Sequence, residues 1–267
     1  MPVSLNEFAT TALRLGIWLV LLTALFVPLE RWFGARQTPR PRRELRHNLA
    51  YYVISSLVPI VLLSVPMALL AAAAHYLVPT ALTTAVQDLP PLVRVGLAFV
   101  IGEIGFYWGH RLSHEVPWLW RFHALHHTTE QLYFLANTRS HPVDMVVTRL
   151  FGLVPLYLLG LAGPSLDGSA TPALVLVIGT LWGFFIHANL RWRFGPLEWL
   201  FTTPAFHHWH HSRRDHVNRN YASTLPFLDR LFGSHYLPRH WPDDCGTDTP
   251  HGATLAAQLL DPLVGRK

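Results

Sequence analysis

The stretch YYVISSLVPIVLLSVPMALLAAAAHYLV, residues 51–78, contains no Asp, Glu, Lys or Arg. Its 28 residues exceed the roughly 20 that carry a helix across the hydrocarbon core of a bilayer. Backbone N–H and C=O groups find no water there, so a crossing segment satisfies them internally as a helix. Further apolar segments lie near 11–29, 91–110, 145–163 and 173–188. Together they predict an all-α, multi-span transmembrane helical bundle. Pro59 and Pro66 predict tilt or a kink in the second span. The last two segments are short and read as a hairpin joined by Gly163-Pro164-Ser165-Leu166-Asp167-Gly168, reaching deep without both halves crossing. Composition agrees: 51% of residues are hydrophobic and 14% charged, against about 25% charged in a soluble domain. The N-terminus lacks the basic region and small-residue site of a cleaved leader, so the first apolar segment is expected to remain as an anchor. The single Cys245 permits no internal disulfide.

Basic residues set the expected orientation. Arg31, Arg36, Arg40, Arg42, Arg43 and Arg46 lie between the first two spans, whereas segments 1–10, 79–90 and 164–172 carry no Lys or Arg. The positive-inside rule then places the first loop, 111–144 and 189–267 in the cytoplasm, as a helical cap on a bacterial inner membrane or an ER-type membrane. The net charge of +5 sits beside apolar segments, which fits lipid headgroups better than nucleic acid. Arg111, Arg121, Arg139, Arg191 and Arg193 are expected to anchor in headgroups or to meet a polar lipid or an acidic partner. Trp118, Trp120, Trp182, Trp192 and Trp199 read as interfacial belt. The chain divides into anchor spans (1–90), a histidine-rich region (91–240) and a peripheral tail (241–267).

Of 17 histidines, 12 fall between positions 110 and 216. They form His110-Arg-Leu-Ser-His114, His123-Ala-Leu-His126-His127 and His207-His208-Trp-His210-His211. Spacings of i, i+3 and i+4 place imidazoles on one face of a helix. Neutral imidazole binds iron and zinc well, and so many rings exceed one tetrahedral shell. Two metal ions are the simplest reading. Arg111 follows His110, so this is not the His-Glu-x-x-His of zinc proteases with its general-base Glu.

The order His-x3-His, His-x2-His-His, isolated His187 and His-x2-His-His resembles the fatty acid hydroxylase and sterol desaturase superfamily of membrane di-iron oxygenases. Flanking residues add to the likeness: Tyr107-Trp108-Gly109 before the first cluster, Arg139-Ser140-His141-Pro142 after the second, and His187-Ala188-Asn189 around the isolated histidine. Thr203-Pro204-Ala205-Phe206 before the third cluster and Asp229-Arg230-Leu231-Phe232-Gly233 complete the pattern, which covers roughly 95–235. The resemblance implies nine metal ligands: His110, His114, His123, His126, His127, His187, His207, His210 and His211. His208 falls on a variable position. It implies two Fe ions (zinc in purified material, which outcompetes ferrous iron at nitrogen sites), O2 as co-substrate, a fatty acyl or sterol-like lipid substrate, and hydroxylation or desaturation. No redox-cofactor segment is recognisable, so electrons come from a separate ferredoxin or cytochrome b5-type donor with its reductase.

Some relatives carry another histidine four residues before the one matching His187. Here that position is Gly183, and water or Asn189 is expected to fill the gap. Glu103, two turns before His110 on the same helix face, is a costly intramembrane carboxylate that signals function. Glu103, His141 and Asn189 are therefore candidate supports for the ligands, with Asp144, Glu198, Asp215 and Asp229 as further carboxylates to receive imidazole N–H groups. Two rival readings stay open: a membrane metal transporter or binding protein, and a zinc-dependent lipid hydrolase. Transport sites favour the bilayer midplane rather than one face, and hydrolysis would proceed without O2.

Overall fold

The computed structural model describes residues 5–36, 42–162 and 171–265, and the described part is helical. Ten α-helices follow in order: α1 (Leu5–Phe33), α2 (Arg42–Leu77), α3 (Thr80–Gln87), α4 (Pro91–Glu115), α5 (Pro117–His123), α6 (Pro142–Leu158), α7 (Thr171–His187), α8 (Pro204–His210), α9 (Phe227–Leu231) and α10 (Leu255–Val264). Three of them, α1, α2 and α4, are long and apolar enough to cross a membrane. Helix α2 runs unbroken through Pro59 and Pro66. Its side chains Ile60, Val61, Val65 and Leu69 are exposed, as lipid-facing residues are. Of the other two expected spans, 145–163 falls on α6 and 173–188 on α7. At 17 residues, α6 reaches about 25 Å, short of the ~30 Å core, and α7 is described from Thr171 onward. The turn expected at 163–168 lies outside the described residues.

Two packing features position the site. Helix α4 lies directly on α6 through Gly105 and Gly109, where an added Cβ would stand 2.2 Å from the Phe151 carbonyl oxygen and 2.7 Å from the Phe151 Cβ. On the other side, α1 and α2 hold the loop between α5 and α6. Phe26 stacks on Phe134 at 5.4 Å between centroids. The buried Glu30 accepts hydrogen bonds from the backbone N–H groups of Phe134 and Asn189. Asn48 donates to the Tyr133 hydroxyl and accepts from Arg139 Nε. Arg139 also donates to the Thr128 hydroxyl and is 5% exposed. It is therefore an internal brace rather than a headgroup anchor, because its fork finds polar partners inside the cap.

The segment read as a peripheral tail carries several internal contacts. Cys245 is buried beside an antiparallel bridge to Ser212. Gln258 accepts from the Tyr51 hydroxyl, and Arg36 and Arg43 donate to the carbonyls of Pro242 and Ala253.

Candidate metal centre

His110 and His114 occupy the last two turns of α4, one turn apart and on one face. Val116 turns extended, and Pro117 starts α5, which ends at His123. The second cluster was expected on one helical face; instead the chain tightens into a 3₁₀ turn at His126–Thr128, so neighbouring His126 and His127 diverge. Helix α8 begins at Thr203, whose hydroxyl accepts from the Phe206 N–H, and presents His207, His210 and, at its end, His211. His187 closes α7.

These nine buried rings gather into two groups. His110, His114, His123, His127 and His210 form one; His126, His187, His207 and His211 form the other. Within each group the candidate ligand atoms lie within 4.8 Å of one another. The second and third clusters each contribute to both groups. The groups touch through the rings of His127 and His211, stacked at 4.3 Å.

Tautomers show what the groups are built for. His110, His126, His187 and His210 donate from Nδ1 to the carbonyls of Tyr221, Arg139, Gly183 and Arg219, at 2.7–3.0 Å. His123 donates to the Asp144 carboxylate at 3.0 Å, and His114 to the Asn218 side-chain oxygen at 3.2 Å. A neutral ring that gives its proton at Nδ1 keeps only a lone pair at Nε2. In the second group the His187 Nε2 stands 3.1 Å from that of His126 and 3.0 Å from that of His207, and His207 stands 3.2 Å from His211. Between His126 and His187 no proton is left to share, so the two lone pairs repel unless a cation lies between them. A metal–nitrogen bond of about 2.0–2.1 Å sets neighbouring ligands roughly 2.9–3.4 Å apart, which these separations match. In the first group, the Nε2 atoms of His114, His123, His127 and His210 are buried without a hydrogen-bond partner. Orphaned buried acceptors in this number demand an explanation, and a metal ion supplies one.

Burial favours neutral imidazole, the form that ligation requires. It pushes His126 down to about 4, with the neighbouring His123 adding to the effect. It also drives His127, His207, His210 and His211 well below the usual histidine value, again before any effect of neighbouring rings. A histidine whose pKa is lower folded than unfolded binds its proton in the unfolded chain first. Its stabilising contribution is complete above 6.5 and is lost as pH falls toward the folded value, about 4 for His126. Metal-free protein is thus expected to lose thermal stability steadily from pH 6.5 downward; a melting temperature constant between pH 7 and 4.5 would contradict it.

The remaining sequence candidates fall around these groups. Among the described residues, Asp144, on the first turn of α6, is the one carboxylate hydrogen-bonded to a group member, His123. Asp144→Asn is expected to weaken metal binding about 10–100-fold, as loss of an outer partner does; competition with a chelator measures it. Glu103 does not reach a histidine. It accepts from the backbone N–H and hydroxyl of Thr224, and so fastens the segment whose Tyr221 carbonyl receives His110. Asp229 acts on the same segment, accepting from the N–H groups of Tyr221 and Ala222 and from Ser234; burial raises it to about 6. His141 caps α6, accepting from the Val143 N–H and donating to the Leu259 carbonyl, apart from both groups. Asn189 does not fill the gap left at Gly183, because both polar ends of its side chain bond the Arg36 backbone. The gap is occupied instead by Asn137, whose amide lies 2.9 Å from where a Gly183 Cβ would stand. His208 donates to the Ala188 carbonyl. Glu198 accepts from the Phe194 N–H, and Asp215 is exposed.

Reading residues alone missed Asn218 and the carbonyls of Arg139, Arg219 and Tyr221. A carbonyl leaves no mark in a sequence. Asn218 had one signal: Asn tolerates the left-handed backbone, and His216, Asn218 and Asn220 all adopt it in one short loop.

Residues 95–234, which include all nine histidines, match the fatty acid hydroxylase family. The chain belongs to that family. Its relatives include an ornithine lipid hydroxylase, OlsE, of Rhizobium tropici, 38% identical over 67% of this chain and 53% of that protein. An alkylglycerol monooxygenase of Xenopus tropicalis is 32% identical over 52% of the chain and 29% of that protein. Methylsterol monooxygenase 2-2 of Arabidopsis thaliana is 28% identical over 51% and 50%. The chain spans about half or less of the length of these relatives. No solved structure matches it significantly. The family match leaves out Glu30, Asn48 and α10, so part of the bracing around the histidines lies outside the family segment.

Proposed function

We propose that this protein is an O2-dependent membrane oxidoreductase that holds two iron ions and hydroxylates or desaturates a lipid. The observation that carries this reading is the pair of adjoining groups, five and four imidazoles, with unshared lone pairs turned inward. An all-histidine set suits a redox-active ion, whereas zinc offers no electrons. Iron, when bound, would offer O2 open coordination positions and relay to it the electrons of an external donor, the chemistry that oxidising a C–H bond requires. The relatives are named for ornithine lipid, alkylglycerol and methylsterol, which supports a lipid substrate. Positive-inside orientation supports placing the groups at the cytoplasmic face, with electrons from a separate ferredoxin or cytochrome b5-type donor and its reductase.

The chain's own residues have three tasks in this scheme. Four backbone carbonyls, Asp144 and the Asn218 side chain hold six ring Nδ1–H groups, fixing ring orientation. Burial of all nine rings excludes water. The closed seam of Gly105 and Gly109 against Phe151 leaves no room for a lipid between α4 and α6, so the substrate must approach from another side. Phe106, one turn nearer the membrane and 5.5 Å from the His110 ring, offers an apolar wall to it. The test is conversion of extracted lipids by purified protein with 18O2, an NADPH-driven ferredoxin system and metal analysis. Product carrying 18O (or a new alkene), absent without O2 or reductant, is expected. Turnover that persists without both would replace this reading with hydrolysis.

A further inference from the structure

The nine histidines are nearly sealed, yet each ion has to reach them. From the membrane side a hydrated dication would cross apolar packing at a prohibitive desolvation cost. Beside His114, at the end of α4, lies an open cavity of about 300 Å³ with a wall part polar and part apolar, lined by His114, Trp120, Arg213, Val217, Asn218, Thr247, Asp248 and Thr249. His114 is both a wall of this cavity and a member of the five-histidine group. We propose that this cavity is the port through which divalent cations enter the centre, with Asp248 and Asn218 as the oxygen ligands first met. The inference rests on the metal-centre reading above.

The mouth suits a cation that is shedding water. Asp248 is 77% exposed on its side chain and Glu130 65%, while Arg213, between them, pairs with both. Arg213 is shared between two carboxylates, so the exposed Asp248 keeps an oxygen to draw an arriving cation. Deeper in, the Thr249 hydroxyl accepts from Trp120 Nε1, and the Asn218 oxygen accepts from His114 Nδ1. These oxygens lead from the rim to the imidazole itself. The Trp120 ring, a wall of the cavity, packs 5.1 Å from His114 and 5.4 Å from His127, so His114 is the ring the cavity reaches directly and His127 lies behind the Trp120 ring. His127 in turn stacks on His211, which makes the five-histidine group the way station to the other.

Uptake of Co2+ by detergent-solubilised, metal-free protein tests this, followed by its visible absorption and by final metal content. Val217→Trp plugs the cavity from an exposed position, and Asp248→Asn reduces the rim charge without bulk. Val217→Trp is expected to slow uptake at least tenfold. Asp248→Asn is expected to slow it two- to fivefold at low salt, the difference vanishing at high salt. Both variants should end with the wild-type two ions. Wild-type uptake rates in both variants, with two ions bound, would overturn the port and leave the metal centre standing. Failure of the wild-type protein to bind Co2+ or Zn2+ at all would overturn the metal centre, and the port with it.

Discussion

Replacing His187 with alanine is expected to remove one of two metal ions and to reduce lipid turnover by roughly 10³-fold or more, beyond the 10–100-fold typical of losing an outer partner. Its Nε2 stands 3.1 Å from that of His126 and 3.0 Å from that of His207, so its loss opens the middle of the four-membered group. That group has less in reserve than its neighbour. It starts with four rings rather than five, and the buried Nδ1 atoms of His207 and His211 have no hydrogen-bond partner to fix them. Asn137 fills the place from which residue 183 could supply another ring. His210→Ala, taking one ring of five, is expected to abolish turnover too, with weaker rather than absent binding of its ion. His208→Ala provides the contrast, since that ring bonds the Ala188 carbonyl and joins neither group; two ions should remain. Metal analysis after gel filtration, with 18O incorporation, reads all three. Two firmly held ions in His187→Ala would sink the assignment of the second group.

Much of this arrangement was legible in the residues, and the illegible part has a physical cause. An uncharged run such as 51–78 reports its solvent directly, because a bilayer tolerates little else. Imidazoles are equally plain, being rare side chains in tight spacing. What sequence cannot carry is how one cluster divides between two groups. The break between His123 and His126 decides it: a continued helix would have kept that cluster on one face, whereas the 3₁₀ turn sends His126 and His127 to different groups. Long polar side chains are ambiguous for a related reason. Arg139 looks like any membrane-border arginine until Asn48 and Thr128, distant in the chain or across a turn, enclose it. Glu103 signalled function by its cost, yet its partner is Thr224, 121 residues away, and its effect on His110 passes through a backbone.

Among the described glycines, Gly105→Ala is expected to be the most damaging added methyl. The added Cβ would lie 2.2 Å from the Phe151 carbonyl oxygen and 3.0 Å from the Gly152 Cα. Backbone cannot swing aside as a side chain can, so α4 and α6 would have to separate. Overpacking of this kind costs typically 1–3 kcal/mol. The consequence exceeds stability, because these two helices carry opposite halves of one arrangement. Helix α4 bears His110 and His114; α6 bears Asp144, which holds His123 against them. Separation would pull Asp144 off His123 and loosen the five-membered group. Gly102, one turn earlier on α4, is the internal control: its added methyl would meet only the Leu156 Cδ1 at 3.7 Å, an ordinary contact. Gly102→Ala should therefore melt within a degree or two of the parent, and slightly higher if helix propensity shows. Gly105→Ala should melt several degrees lower and release metal faster to a chelator. Equal melting and equal metal retention in the two variants would mean that the α4–α6 seam is not what aligns the first group.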